Sequence, residues 1–499
     1  MLYQTKIGLE IHVQLATKSK LFCGCSTEFG AKANTQICPV CLGLPGSLPV
    51  LNEKALDLGI KAGLGLNCQI ANLMQFERKG YFYPDLPKGF QISQFKLPLA
   101  ENGFLDIYTD SQQNPYRFAR IRITRVHLEE DAGKLIHKEN CSYIDYNRCG
   151  ILLLEIVSEP DISSPEQAYS FLTNLKTLLQ YLGVSNCDME KGELRCDANI
   201  SLMRNGKGRS QKLGEKVEVK NMNSFKAVKD ALFFEQNRQE KLLKIGKKII
   251  QETRLWNDSR KETILMRRKE ESPDYRYFPE PDLLPFSIVK ERIDKIKKTL
   301  PELPSQKRER FKKEYNLEKK EIEIFIQNES LAVFFEETIS ELKNWMADKK
   351  ISEKSLPLLI KLTTNYLITD LSGLMFEKVV EFKDLKITPE NFAELMTIIQ
   401  KKEISSRAAK DVLKIMFETG ADPSHVIEEK GLKLISDLGY IEKISKEVIE
   451  KNQKAVLDYK KGKESALEFL LGKIMAETKG KADPFKAREI IKKLITYNS

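Results

Sequence analysis

The chain is most informative at first through what it lacks. No apolar run in its 499 residues approaches the ~20 needed to span a bilayer. No signal or transit peptide precedes Lys6-Ile7-Gly8-Leu9-Glu10, which already alternates like a strand. Together these absences predict a cytoplasmic protein without a membrane role. No Walker A loop occurs, Gly63-Leu64-Gly65 lacks the third glycine of a dinucleotide fingerprint, and Gly206-Lys207-Gly208 is at best a basic hairpin. The His-Glu-x-x-His and Gly-x-Ser-x-Gly patterns are also missing. Histidine is scarce, with only His12, His127, His137 and His425. Cysteine stops at Cys196, and an odd total of nine argues against a secreted disulfide framework.

What is present is ordinary for a globular protein: 41% hydrophobic and 30% charged residues, at a length that suggests roughly two to four domains. The net charge of +10 arises from 81 basic and 71 acidic residues. It permits contact with a polyanion without requiring it.

Four of the cysteines are grouped as Cys23-Gly24-Cys25 and Cys38-Pro39-Val40-Cys41, with twelve residues between the pairs. Paired thiolates on two short turns suit tetrahedral Zn²⁺, which takes four sulfurs at ~2.3 Å. Four sulfurs leave no open position, so the role expected of such a zinc is structural. The first pair is closer than the usual two-residue spacing, and four reduced thiols packed together fit the same pattern.

Organisation changes near residue 295. Before it, strands are predicted at 7–15, 103–108, 118–129, 152–157, 195–203 and 217–220, punctuated by Gly and Pro. A helix is predicted over 166–182, with Ser164 as N-cap, Pro165 at the first position, Gln167 completing a capping box and Gly183 as the stop. After residue 295, Lys, Glu, Leu and Ile recur at helical spacing. Helices should start at Thr388-Pro389 and Asp483-Pro484, and one should end at Gly420. The fold class is therefore α+β, a mixed α and β part followed by helices. Domains are expected at 1–294, 295–405 and 406–499. Lys401-Lys402, Lys460–Lys463, Lys479-Gly480-Lys481 and Lys492-Lys493 form basic blocks, which suit a solvated helix face or nonspecific phosphate contacts.

The chemistry centres on Asp145–Pro160. Ile151–Val157 is a short apolar run typical of a strand buried on both faces, yet Glu155 sits within it. An ionised carboxylate there needs a cation: a base such as Arg148, or a metal. Alternation places Glu10, His12 and Gln14 on one face of the first strand. It also places Arg125, His127, Glu129 and Asp131 on the polar face of another, with Glu130 on the apolar side beside Val126 and Leu128. Converging carboxylates with one imidazole would suit Mg²⁺ or Mn²⁺ in phosphoryl transfer.

Several segments carry a resemblance: Gly8–Leu15, Tyr81–Asp85, Gln91–Phe95, His127–Lys134, Leu194–Ser201 and Asp274–Asp282. So does Asp145-Tyr-Asn-Arg-x-Gly, followed by apolar residues and Glu155. These resemble the B subunit of the glutamine-dependent aspartyl/glutamyl-tRNA amidotransferases, from about Leu2 to Phe286 and more loosely through the helical part. Leu152 departs from that family's pattern, which has proline there; a leucine can extend the ladder by one residue.

The resemblance implies a cradle-like domain with a largely antiparallel sheet, then a helical domain and a tRNA-contacting helical tail. It implies ATP-dependent phosphorylation of the side-chain carboxylate of Asp or Glu misacylated on tRNA(Asn) or tRNA(Gln), then amidation by ammonia. By motif position it makes Glu10, His12, Glu130 and Glu155 the catalytic set, with His12, Glu130 and Glu155 as Mg²⁺ ligands and Glu10 adjacent. Lys79 and Tyr81 fall near the ammonia route. No Ser-Ser-Lys amidase motif is present, so a glutaminase A subunit would supply ammonia, and a small C subunit would complete a heterotrimer. Two other readings are a zinc-containing tRNA-binding scaffold and a Mg²⁺-dependent kinase for a small free acid.

Overall fold

The computed structural model describes residues 3–111, 114–204, 214–268, 275–347, 352–434, 438–478 and 482–497. Gly206-Lys207-Gly208, Asp274 and Lys479-Gly480-Lys481 lie outside the described residues. The chain forms two compact units, Met1–Pro304 and Ser305–Ser499.

The first unit is built on a nine-stranded sheet. Its order is Glu262–Arg268, Glu252–Asn257, Val217–Lys220, Leu194–Arg204, Tyr3–Gln14, Leu152–Ser158, Asn114–Glu130, Ala100–Ser111 and Gln69–Ile70. Every neighbouring pair is antiparallel except Val217–Lys220 with Glu252–Asn257. All six predicted strands are present, most of them a residue or several longer than expected. The Glu155 strand begins at Leu152, opposite Glu130, as leucine at that position allows.

Strand alternation gives the sheet two unlike faces. Ile7, Leu9, Ile11 and Val13 of the first strand are fully buried, as are Leu154, Ile156, Val126 and Leu128 of its neighbours. The helices Glu53–Gly65, Pro165–Tyr181 and Phe225–Lys244 contribute to the same apolar core. Gly59 permits close approach of the first of these helices. A Cβ there would lie 2.5 Å from Leu99 Cδ2 and 3.5 Å from Leu128 Cδ2. With helices on one face, the other is free to carry polar side chains.

The helix Pro165–Tyr181 starts as predicted, its Gln167 N–H donating to Ser164 Oγ at 3.2 Å. The reciprocal half of the cap lands one residue earlier, on Ser163, whose N–H donates to Gln167 Oε1 at 2.8 Å. The helix Lys290–Lys298 spans the boundary expected at 294–295, and its Ile296 joins the first unit's core.

The second unit is helical. Thr388 caps Pro389–Gln400, Gly420 ends Ser406–Thr419 in the left-handed conformation, and Pro484–Tyr497 is the last helix. Two apolar cores divide it, one drawn from residues between Phe311 and Leu432, the other from Ile441 to Ile495. The divide expected at 405–406 falls inside the first of these, because Ala408, Val412 and Met416 pack there. Among the described residues no helix is long and apolar enough to cross a membrane.

Candidate active site and cysteine cluster

The polar face of the sheet brings together residues far apart in sequence by aligning them on shared cross-strand positions. His12 lies opposite Glu155 on one side and Arg195 on the other, and Glu155 lies opposite His127. One step along, Glu10 lies opposite Asp197 and Val157, and Val157 opposite Arg125. Paired positions project to the same face, so these side chains meet above the sheet.

At the centre are two carboxylates and two imidazoles. His12 Nε2 is 3.3 Å from Glu129 Oε1 and 3.5 Å from Glu155 Oε2. His127 Nε2 is 3.2 Å from Glu155 Oε2 and 3.8 Å from Glu129 Oε2. One donor atom each from His12, Glu129 and Glu155 lies within 4.8 Å of the others. Two anionic oxygens and an imidazole nitrogen at that separation fit a divalent cation such as Mg²⁺ or Mn²⁺.

Glu130 stands elsewhere. Its buried carboxylate pairs with the ammonium of half-buried Lys88 and accepts the Ile92 N–H at 2.9 Å. Strand alternation turns it to the side opposite Glu129, so the second carboxylate of the cluster is Glu129. Glu10 lines the same cavity as the cluster, with Asn199 Nδ2 donating to its Oε1 at 2.9 Å, but it is not one of the three converging ligands. Arg148 leaves Glu155 alone. It donates to the carbonyls of Ala132 and Gly133 and lies 3.2 Å from Asp131, which Arg195 also holds at 2.7 Å. His127 is an unforeseen member: alternation had set it on the polar face, but nothing local foretold that it would meet Glu155.

The electrostatics follow from this packing. Burial opposes charge on His12, but the hydrogen bonds and charges of Glu129 and Glu155 outweigh it and raise the imidazole to about 10. His127 is raised in the same way against its burial. Burial would push Glu129 up, yet His12 and His127 hold it down to about 2. Glu155, also against burial, is held well below the usual carboxylate range by His127 and His12. The two carboxylates thus favour protonation of the imidazoles, and the imidazoles favour ionisation of the carboxylates. A divalent cation bound by His12 would have to displace the proton from its coordinating nitrogen.

A cavity of about 1000 Å³ opens above this cluster. Lys79, Tyr81, Gln94, Arg125 and Arg195 line it, together with the cluster itself. Lys79 Nζ sits 4.9 Å from the Tyr275 ring centroid, and Tyr81 donates its hydroxyl to Gln91 Oε1 at 3.3 Å. Four buried polar atoms of lining residues have no hydrogen-bond partner among the described residues: Gln94 Nε2, Arg125 Nε, His127 Nδ1 and Arg195 Nε. Buried polar atoms are normally satisfied, so three donors and a ring nitrogen left over at one cavity point to a polar occupant.

The second cluster is local. The Sγ atoms of Cys23, Cys25, Cys38 and Cys41 lie within 4.8 Å of one another, and all nine cysteines are free of disulfides. That separation fits one tetrahedral thiolate-bound ion. Pro39–Leu42 forms a single helical turn stopped by Gly43 in the left-handed conformation. Cys23, with help from the backbone of Cys38 and from Lys20, holds the Cys41 thiol down to about 4 against burial. Lys20 itself is fully buried; its Nζ donates to Gln36 O at 2.8 Å and lies 3.7 Å from Cys41 Sγ. Among the described residues no carboxylate oxygen lies within 4 Å of Lys20 Nζ, so Cys41 Sγ, when deprotonated, is the counter-charge within its reach.

Comparison with known proteins bears on the chain as a whole. Residues 5–294 match the GatB/GatE catalytic domain, and residues 349–495 match the GatB domain. The chain is 48% identical over 493 residues to the B subunit of the aspartyl/glutamyl-tRNA(Asn/Gln) amidotransferase of Caldanaerobacter subterraneus subsp. tengcongensis, covering 99% of each. It is 47% identical over 495 residues to the protein of the same name from Persephonella marina, covering 99% of this chain and 100% of that one. Similarity of this depth over both units leaves one assignment: the chain belongs to the family of B subunits of the aspartyl/glutamyl-tRNA(Asn/Gln) amidotransferases.

Proposed function

We propose that this chain activates the side-chain carboxylate of aspartate or glutamate misacylated on tRNA(Asn) or tRNA(Gln), using ATP, for conversion to the amide. The observation that carries this reading is the group of His12, Glu129 and Glu155 at the base of a cavity whose walls hold unpartnered guanidinium donors. A carboxylate is a poor acyl donor, and phosphorylation gives it a leaving group. One carboxylate oxygen attacks the γ-phosphorus of ATP, and the bond to the β,γ-bridging oxygen breaks to release ADP. Ammonia then attacks the acyl carbon, the bond from that carbon to the phosphate oxygen breaks, and the nitrogen loses one proton as phosphate leaves.

Within this reading His12, Glu129 and Glu155 hold Mg²⁺, which when bound neutralises charge on phosphate oxygens. Glu10 stands beside them, and Glu130 keeps Lys88 and the strand Phe90–Ser93 that follows it in place. Arg125 and Arg195 offer donors to anionic oxygens, with Arg195 oriented by Asp131. Lys79 and Tyr81 lie on the cavity wall, where an ammonia route would enter. Cys23, Cys25, Cys38 and Cys41 hold Zn²⁺ and fix the loops around them. A glutaminase A subunit supplies ammonia, a small C subunit completes the heterotrimer, and lysines of the helical unit meet the tRNA backbone.

The test is ATP hydrolysis by the assembled enzyme with and without Asp-tRNA(Asn) or Glu-tRNA(Gln). Stimulation by the misacylated tRNA is the expected result. Binding of that tRNA without hydrolysis would leave only a scaffold, and equal turnover of free aspartate or glutamate would mark a small-acid kinase.

A further inference from the structure

The cavity wall carries a feature that the cation cluster does not use. Phe95 stacks on Tyr277 with ring centroids 4.6 Å apart and planes 13° from parallel. It is the only parallel-stacked ring pair among the described residues; Tyr275 meets Tyr277 edge-on at 6.2 Å, and Tyr81 meets Tyr275 edge-on at 6.1 Å. Both Phe95 and Tyr277 line the cavity. Phe95 is nonetheless 47% exposed, and since one ring face is covered by Tyr277, that exposure belongs to its other face and edge.

The ring is held in place. The N–H groups of Phe95 and Lys96 both donate to the buried carboxylate of Glu77, at 2.8 and 2.9 Å. Just before it, Ser93 Oγ donates to Glu129 Oε2 at 3.1 Å, which ties this segment to the cation cluster. Gln94 Oε1 accepts the Leu128 N–H at 2.9 Å, leaving its buried Nε2 without a partner. A rigid aromatic face, with an unsatisfied amide donor on the preceding residue of the same cavity wall, suits a flat heterocycle that carries ring-nitrogen acceptors.

We propose that Phe95, backed by Tyr277, is the stacking platform for an adenine base in this site, with Gln94 Nε2 as a donor to the base. This rests on the function proposed above, which brings two adenines to the cavity: the base of ATP and the terminal adenosine of the acylated tRNA. The platform fixes a reacting group through its attached base, so Phe95 is a positioning residue.

Phe95→Ala and Phe95→Trp in the assembled enzyme separate the possibilities. The probes are adenosine 5′-(β,γ-imido)triphosphate, by calorimetry, and an acceptor-stem RNA hairpin ending in adenosine or in an abasic ribose, by competition. Stacking on an aromatic ring typically contributes enough to predict a loss of about tenfold or more in Phe95→Ala, with Phe95→Trp near wild type. If the ATP analogue is the probe that weakens, the platform holds the base of ATP. If instead the mutant loses wild-type preference for the adenosine-ended hairpin, the platform holds the tRNA terminus. Both probes unchanged within twofold in Phe95→Ala overturns the proposal. A wild-type enzyme that binds the probes but shows no tRNA-stimulated ATP hydrolysis would strike the parent reading while leaving the platform standing.

Discussion

The two clusters that could hold metal are built in opposite ways. The four cysteines come from one stretch of nineteen residues, Cys23 to Cys41, whose middle part is also pinned from outside by Asp145 and Asn147, which accept the N–H groups of Asn34 and Gln36. His12, Glu129 and Glu155 come from three strands and converge only because the sheet aligns them. A local cluster is specified by spacing, whereas a distributed one is specified by strand pairing. Loss of a residue in the first should act mainly on metal retention and stability, and loss of a residue in the second mainly on chemistry.

The largest effect should come from the distributed cluster. Glu155→Ala and Glu129→Ala are each expected to lower tRNA-stimulated ATP hydrolysis by about a thousandfold or more, since the stabilisation a bound cation gives is worth several kcal/mol. Glutaminase turnover in the partner subunit should persist. Hydrolysis within a few-fold of wild type would remove that residue from the site.

Next is Lys88→Met, which tests whether Glu130 belongs to the scaffold. It strands a buried carboxylate, a change that typically costs about 3–5 kcal/mol. Chemical denaturation should show that loss, and unchanged stability would mean that the Lys88–Glu130 pair contributes nothing.

Cys38→Ser should reduce bound zinc below one per chain and lower the melting temperature by several degrees. Full zinc content measured by plasma mass spectrometry would refute the local cluster.

The smallest effect is a pH dependence. His12 is raised to about 10, so below that pH a cation must displace its proton. Mn²⁺ affinity should therefore rise by up to about tenfold per pH unit between pH 6.5 and 7.5, with proton release seen by calorimetry in two buffers. In the cation-free protein the sign reverses. The stability that His12 contributes is complete below about 6.5 and fades as pH rises through about 10. A pH-independent affinity would exclude His12 as a ligand.

This contrast also explains what could be read from the residues alone. The spacing of Cys23, Cys25, Cys38 and Cys41 was legible because it is local, but Lys20 was not, since nothing near it in sequence marks a lysine that will be fully buried. Alternation correctly put Glu10 and His12 on one polar face and His127 with Glu129 on another. It also put Glu130 on the apolar side, and that signal outweighs the motif position that suggested Glu130 as a ligand. The pairing of His12 with Glu155, and of Glu155 with His127, depends on strand partners that no pattern within a strand encodes. The same holds for Arg148, whose partner is Asp131. In the helical part, caps such as Thr388 and Gly420 were readable from local chemistry, but the boundary between its two cores was not.

The alignment of Arg195, His12, Glu155 and His127 across four neighbouring strands has a consequence for how the protein is made. Shifting any one of these strands by a single residue would turn its charged side chains into the apolar core and its leucines, isoleucines and valines toward water. Core and polar layer are therefore correct together or not at all: a sheet assembled out of step would lose its stability along with the alignment of these four side chains.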